Sequence, residues 1–374
     1  MSMQRVNINL KALSESFAER SERGDVCLIL KDAIEPKLRV YTSYRRVKDS
    51  YSEDNKNLIK RCFADRKAKT IKVVTYDGAD TTVDDALNLL NLVKYNYLAF
   101  PVKDATDEEK KKVADFIKLQ RDNTSNVLPV KAVLNNYSGD TNGVINFINS
   151  SITASDNTVC TGAEFTADIA CMAATCSFKS SLTNAVVTGI KEVDSVGNSM
   201  EDYDDLVDAG KLFIYYDIDL EAFVLSRAVN SMTTIGENQK ASLKKIRVTD
   251  ILDTARDDIK VTFKKYYQGK VDNSYNNRKL FRDAINTYLE TLEKQGALTT
   301  KTVTDEDGNE VVLHSRVWLS VEKTRDYLES KGVEDVDKMS DEAILSADLD
   351  EKVFLDSAVY VVDSMEDLEL DLGY

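Results

Sequence analysis

The chain has 374 residues, of which 43% are hydrophobic and 30% are charged, and its formal net charge is −15. These values predict a soluble globular protein of two or three domains, and the acidity argues against general nucleic-acid binding, which needs a basic surface. The sequence shows neither the roughly 18 apolar residues that span a bilayer nor the apolar run of a secretory signal at its start, so we expect no direct membrane binding.

Residues 1–23 form a polar arm in which one pattern stands out. Val6, Ile8 and Leu10 alternate with polar residues. A period of two predicts a β-strand with one apolar and one wet face. A lone strand cannot satisfy its own N–H and C=O groups, so we expect this N-terminal arm to add to a sheet elsewhere.

Residues 24–236 alternate apolar runs with amphipathic segments, which predicts an α/β core domain whose sheet is covered by helices. The run 26–30 is apolar throughout, as in a strand buried on both faces. Further strands are predicted at 38–41, 70–76, 97–102, 130–134, 143–148, 185–193, 212–216 and 223–228. Helices are predicted at 52–65, 82–92, from 106 on, at 164–176 and at 200–209.

The pattern changes after residue 236, and residues 237–345 predict a separate α+β domain. Helices are expected around 252–263, 281–292 and 324–330, with a hairpin at 302–313 and a strand at 317–321. Residues 346–374 are expected to hold a strand at 353–362 and a second arm. In this C-terminal arm, Leu368, Leu370 and Leu372 alternate with acidic residues, which again predicts a strand that pairs outside its own core.

Three segments resemble the tail sheath proteins of contractile phages and R-type bacteriocins, in particular the short sheaths of Gram-positive prophage tails. The opening resembles the family's arm and first strand, VNINLKALSESFAERSERGDVCLILKD. A second segment resembles its last core hairpin, DYDDLVDAGKLFIYYD…FVLSRAVNSMTT. The most specific one resembles the C-terminal sheath domain, KIRVTDILDTARDDIKVTFKKYYQGKVDNSYNNRKLFRDAINTYLETLEKQGAL.

The resemblance implies a homo-oligomer, a helical stack of six-membered rings around an inner tail tube protein, with baseplate and tail terminator proteins as further partners. Neighbouring subunits would be joined by strand exchange through Val6, Ile8 and Leu10 and through Leu368, Leu370 and Leu372. Contraction would then drive the tube through a target cell envelope. The expected location is the bacterial cytoplasm during assembly and afterwards a released phage tail or bacteriocin particle.

Basic residues cluster in the C-terminal half in spite of the acidic total. Lys244, Lys245, Arg278 and Arg282 are our candidates for contacts with an acidic tube surface. Two other interpretations stay open, a solvated basic face and pairing with the acidic arm of a neighbouring subunit. Single surface pairs contribute at most about 1 kcal/mol and are screened by salt, which would suit a tube that slides free.

Catalytic and cofactor sites are not indicated. His314 is the one histidine, no phosphate-binding glycine motif is present, and the acidic groups at 202–205 and 217–219 lack the spacing of an EF-hand loop. The five cysteines lack C-x-x-C spacing and are expected to be reduced, mostly buried thiols. We therefore expect no enzyme, cofactor or metal. The alternatives are an α/β enzyme or nucleotide-binding protein without a recognisable motif and a non-contractile structural protein.

Overall fold

The computed structural model describes residues 23–122, 127–237, 239–305 and 307–372. The chain divides into two compact units. The first unit runs to Asp253 and also includes the chain from Ser364 onward, whereas the second unit is Thr254–Asp363. The domain boundary that the sequence suggested at residue 236 stays a prediction.

Seven strands of the first unit form one sheet. The strands of this unit are β1 (Asp25–Lys31), β2 (Arg39–Tyr41), β3 (Thr70–Tyr76), β4 (Tyr97–Ala99), β5 (Lys131–Asn135), β6 (Val144–Phe147), β7 (Ser151–Ala154), β8 (Val159–Thr161), β9 (Ile190–Val193), β10 (Lys211–Leu212), β11 (Ile214–Asp217) and β12 (Ala222–Leu225). The large sheet has the order β10-β6-β5-β4-β1-β3-β2. All neighbouring pairs are parallel except β2 with β3, as expected for an α/β domain.

Apolar clusters lie on both faces of this sheet. In β1, Val26, Leu28 and Leu30 belong to one buried cluster and Cys27 and Ile29 to the other. The first cluster includes side chains of α1 (Glu53–Ala64) and α4 (Gly162–Thr175), and the second includes side chains of α2 (Val83–Asn88) and α3 (Asp107–Asp122). This arrangement confirms the prediction that residues 26–30 form a strand buried on both faces.

Smaller elements complete the first unit. Strands β8, β7 and β9 form a three-stranded antiparallel sheet, and β11 pairs with β12 in a hairpin. Helix α5 (Met200–Asp208) begins with a capping box of Ser199 and Asp202. Thr161 and Glu164 form another capping box at the start of α4, which explains why that helix begins directly after a strand.

The second unit contains helices and two short antiparallel strand pairs. Its elements are the C-terminal part of α6 (Ile246–Thr262), a π-helical turn at Phe263–Tyr267, α7 (Tyr275–Lys294), β13 (Lys301–Thr304), β14 (Glu310–Leu313), β15 (Arg316–Leu319), α8 (Val321–Ser330), α9 (Asp341–Ser346) and β16 (Leu355–Ala358). Two antiparallel pairs are formed, β13 with β14 and β15 with β16. No helix in the described ranges is both long and apolar enough to cross a bilayer.

Some predicted elements differ from the structure. The strand expected at 185–193 is formed only at Ile190–Val193, because Gly189 has a φ of +80° and the chain before it pairs with β12. The strand expected at 353–362 is formed only at Leu355–Ala358, since Val361 pairs with Leu298 instead. The sequence analysis also missed the β7–β8 hairpin and helix α9, which lie in polar stretches.

Candidate assembly interface

The C-terminal arm is fixed to the first unit at Glu366. The Glu366 side chain is only 5% exposed, and its carboxylate lies 2.9 Å from Lys245 Nζ and 3.5 Å from Arg227 Nε. It also accepts hydrogen bonds from the hydroxyls of Thr183 (3.0 Å) and Ser364 (2.8 Å). A carboxylate that is both buried and multiply bonded holds this part of the arm in one place.

The rest of the arm has a different environment. Leu368, Leu370 and Leu372 lie in no strand, and their exposed fractions are 86%, 67% and 81%. Asp367, between Glu366 and these leucines, pairs with Arg227. Three exposed leucines at a spacing of two form an apolar edge that no described residue covers, and such edges are typical of docking surfaces.

The N-terminal arm leads into a buried ion network of the first unit. Arg23 is the last residue of that arm and the first residue that the structure describes, and its guanidinium lies 2.9 Å from Asp250. Lys131 joins Asp250 (2.9 Å) to Asp253 (2.8 Å), and Arg121 pairs with Asp253 at 2.8 Å. All five side chains are less than one-tenth exposed. Val6, Ile8 and Leu10 themselves lie outside the described residues.

Three cations surround the two carboxylates of this network, which favours the ionised form of both Asp250 and Asp253. Burial alone would raise the pKa of Asp253, but the charges of Lys131 and Arg121 outweigh it and lower the pKa to about 2. Burial likewise opposes ionisation of Asp250, and Arg23 and Lys131 hold its pKa below the usual value. The hydroxyl of Tyr97 also donates a hydrogen bond of 2.9 Å to Asp250. Both carboxylates are therefore charged at neutral pH.

In the second unit, one edge of the β15–β16 pair is occupied by a side chain. Asn286 of α7 accepts a hydrogen bond of 2.7 Å from the Val317 N–H and donates one of 3.0 Å to the Val317 carbonyl. Two residues earlier, just before β15 begins, the Ser315 N–H donates a hydrogen bond of 2.7 Å to the Glu293 carboxylate. The outer edge of β15 is thus satisfied by its own helix.

The outer edge of β16 has no partner strand in the described residues, although its Leu355 carbonyl accepts a hydrogen bond of 3.2 Å from the Lys323 side chain. Ser357 lies opposite Val317, and residue pairs in an antiparallel ladder alternate between bonded and non-bonded. Because Val317 directs its backbone groups away from β16, Ser357 directs its own away from β15. Ser357 is exposed, and no backbone partner for this edge occurs in the described part of the chain.

Two family models match the sequence. The phage tail sheath protein central domain matches residues 74–231, and the phage tail sheath C-terminal domain matches residues 238–317. The chain is also 30% identical over 377 residues to a tail sheath protein of Clostridium phage phiCD119, an alignment that covers 98% of this chain and 97% of the relative. The chain belongs to the phage tail sheath protein family. Its role is therefore structural, as a subunit of a tail sheath.

Solved structures of sheath proteins share this fold. The sheath tail protein of Listeria innocua has a TM-score of 0.68 at 15% identity, covering 94% of this chain and 99% of that one. The helical sheath of the anti-feeding prophage in its contracted state has a TM-score of 0.66 at 16% identity, covering 94% and 93%. The mixed α/β and α+β architecture predicted from the sequence agrees with these folds.

The four basic residues singled out as tube-facing have unequal environments. Arg278 is 3% exposed and donates a hydrogen bond of 2.9 Å to the Ala347 carbonyl, so it offers no charged surface. Lys245 pairs with Glu366 of its own chain, which is the acidic arm but not a neighbour's. Lys244 is half-buried, and Arg282 pairs with Asp283 beside it. Contact with a tube stays a prediction for all four.

The residues considered for catalysis and metal binding have ordinary structural contacts. His314 is exposed, and its Nδ1 lies 3.0 Å from Glu293. Asp202 caps α5, and Asp217 accepts a hydrogen bond from the Leu220 N–H. Within the described ranges, no group of three or more His, Cys, Asp or Glu side chains could hold a metal ion. The five cysteines are free thiols, four of them buried.

Sequence reasoning missed the residues that fix the arms and limit the sheet. Arg23, Asp250, Glu366 and Asn286 were not singled out, because each depends on partners far away in the chain. One signal was present for Asp250 and Asp253. They lie three residues apart on a helix beside apolar Ile246 and Ile251, so they share its inward face.

Proposed function

We propose that this sheath subunit polymerises around an inner tube by giving residues 368–372 of its C-terminal arm to the open β16 edge of a neighbouring subunit. The observation that carries this proposal is the presence of two complementary features in one chain. One is an exposed stretch with leucines at a spacing of two. The other is the outer edge of β16, which has no backbone partner in the described residues and where the Lys323 side chain bonds the Leu355 carbonyl. A strand added between copies of one chain is a heterologous contact, which generates rings and helices rather than closed dimers.

The side chains of the two surfaces are complementary. Val317 and Leu319 of β15 are buried on one face of the pair, and Leu355 of β16 lies opposite Leu319 on that same face. An added strand would extend this face with Leu368, Leu370 and Leu372. Its acidic residues would share the other face with Arg316 and with Asp356, whose carboxylate is paired with Lys323.

The energy of one such joint is modest. About four backbone hydrogen bonds at a net of roughly 1 kcal/mol each give a few kcal/mol. Every subunit would hold more than one joint, because the strand predicted at Val6, Ile8 and Leu10 would add to another neighbour. Multiple joints make simultaneous loss of all contacts rare, so the lattice can contract without losing connectivity.

Deletion of residues 368–374 tests the donor side. We expect a folded monomer with an unchanged melting temperature that forms no tubes on overexpression, because Glu366 and the first unit are left intact. Electron microscopy and sedimentation give the readout. Normal tubes from this truncation would contradict strand donation by the C-terminal arm.

Ser357→Pro tests the acceptor side. Proline removes the outward N–H of Ser357 without touching the β15 ladder, and it should block strand addition while the monomer stays folded. Ser357→Ala keeps the N–H and is the matched control. The expected result is tubes from Ser357→Ala and none from Ser357→Pro. If both variants form tubes, β16 is not the acceptor edge.

The partners and setting follow from the same proposal. The chain would act without catalysis, assemble in the bacterial cytoplasm and be released as part of a phage tail or bacteriocin-like particle with baseplate, terminator and tube proteins. For the tube contact, Lys244 and Arg282 are the two candidates that are neither buried nor paired with the arm. Lys244→Glu with Arg282→Glu should leave sheath assembly intact and weaken co-sedimentation with the tube. Unchanged co-sedimentation would refute their role.

A further inference from the structure

The two arms are fixed to neighbouring positions of one short stretch, residues 245–250, which we call the anchor segment. Lys245 at its start holds Glu366 of the C-terminal arm, and Asp250 at its end holds Arg23, where the N-terminal arm enters the first unit. Arg23 and Glu366 are far apart in the chain, yet their partners, Asp250 and Lys245, are separated only by the first turn of α6.

The anchor segment is itself firmly held. The Ile246 N–H donates to the Ala228 carbonyl at 3.1 Å, and Val229 pairs with Lys245 in a β-bridge. Arg247 is buried and donates hydrogen bonds to the Phe178 carbonyl at 3.2 and 2.8 Å. The ring of Phe178 lies beneath the guanidinium of Arg23, with 5.2 Å between the Arg23 Cζ and the ring centroid. Each arm therefore ends in a buried charge on a rigid support.

We infer that the anchor segment carries tension between the arms, through Arg23–Asp250 on one side and Lys245–Glu366 on the other. This inference rests on the proposed function, because it assumes that both arms join neighbouring subunits. Pulling on an arm loads the first residue at which the chain is fixed to the folded body. Without Glu366, tension on the C-terminal arm would pass back along the chain to the isolated pairing of Val361 with Leu298. Beyond that pairing lies β16, a four-residue strand with a single partner strand.

Burial makes these pairs suitable for this task. Exposed ion pairs are weakened by salt, whereas buried ones are screened much less. Arg23, Asp250 and Glu366 are each about 5% exposed. The joints between subunits can therefore rearrange during contraction while the attachment of each arm to its own subunit stays fixed.

The test measures breakage of assembled tubes under graded shear, with tube length read by electron microscopy. Glu366→Gln and Arg23→Met should assemble, since the strands that join subunits are unaltered and Lys131 and Tyr97 still neutralise and bond Asp250. We expect mean tube length after shear to fall several-fold for each variant. Arg45→Met alters an exposed residue of the same unit and should break like the unaltered protein.

Two further variants give the inference a specific signature. The exchange Lys245→Glu with Glu366→Lys restores the pair in reverse and should recover most of the length that Lys245→Glu loses. The double variant Arg23→Met with Glu366→Gln should break no more easily than the weaker single variant, because both pairs lie in series on one path. If Glu366→Gln does not fold, Arg227→Gln weakens the same attachment from a partly exposed position and should shorten the tubes likewise.

The outcomes separate this inference from the proposed function. Tubes from the 368–374 deletion would contradict strand donation, whereas equal breakage of Glu366→Gln and unaltered tubes would refute the anchor segment alone. Absence of rescue by the charge exchange, with normal melting of that variant, or a double variant far weaker than either single one, would also refute it.

Discussion

The two units solve the problem of sheet edges in opposite ways. In the seven-stranded sheet of the first unit, the edge strands β2 and β10 have only three and two residues, and both faces are covered by apolar clusters. Short edge strands leave little backbone for another chain to pair with. In the second unit, the two-stranded β15–β16 sheet is closed on one edge by Asn286 and open on the other.

This difference assigns stability and assembly to separate places. A two-stranded sheet is marginal by itself, so the β15–β16 pair gains most from a further strand. The seven-stranded sheet of the first unit has no such need, and the buried ion pairs of that unit fix Arg23 and Glu366, which adjoin the two arms. Under the proposed strand addition, the second unit provides an edge for polymerisation while the buried core of the first unit provides stability.

The largest expected effect comes from the buried network of the first unit. Asp250→Asn leaves three buried cations with one carboxylate and should lower the free energy of unfolding by about 3–5 kcal/mol. The matched control is Asp115→Asn, which breaks an exposed pair with Lys111 and should cost no more than about 0.5 kcal/mol. Urea denaturation of both variants gives the comparison. Equal losses of free energy would show that the buried network stabilises the protein no more than an exposed ion pair does.

Lowering the pH should also weaken this network, with a smaller effect on the free energy of unfolding. The folded pKa of Asp253 is about 2, below the unfolded value near 3.9, so its contribution is present above about pH 4 and is lost as the pH falls through 2. The free energy of unfolding should therefore fall between pH 5 and pH 2, with roughly 2–3 kcal/mol of the loss due to Asp253. Asp253→Asn should be less sensitive to this pH change by that amount. An equal pH dependence in both proteins would contradict the assignment.

Local periodicity was sufficient to predict most of the fold. Strand β3 was predicted at its observed bounds, Thr70–Tyr76, because its β-branched run ends at an Asp-Gly turn. The stretches 185–193 and 353–362 were overextended, since each changes its pairing partner midway. Sequence alternation reports which residues are apolar, but it contains no information on the partner strand.

The candidate interface was predictable only in part. The alternating leucines at 368–372 could be read from the sequence, whereas the fixed point at Glu366 could not. Glu366 is one of several carboxylates in the arm, and only the approach of Thr183, Arg227 and Lys245 from distant parts of the chain sets it apart. The environments of the four basic residues could not be predicted for the same reason, because sequence cannot separate buried Arg278 from half-buried Lys244.

The smallest expected effect on stability concerns Asn286, the residue that closes the β15 edge. Asn286→Ala removes both hydrogen bonds to Val317 and should cost about 1–2 kcal/mol, since the freed backbone groups can partly regain water. Its more informative effect is on assembly, because the β15–β16 pair would then have two open edges instead of one. We expect irregular aggregates beside ordered tubes, seen by electron microscopy and by light scattering of the monomer. Glu290→Ala, an exposed change on the same helix, is the control and should form ordered tubes only. Ordered tubes from Asn286→Ala would mean that something other than Asn286 keeps the β15 edge from pairing.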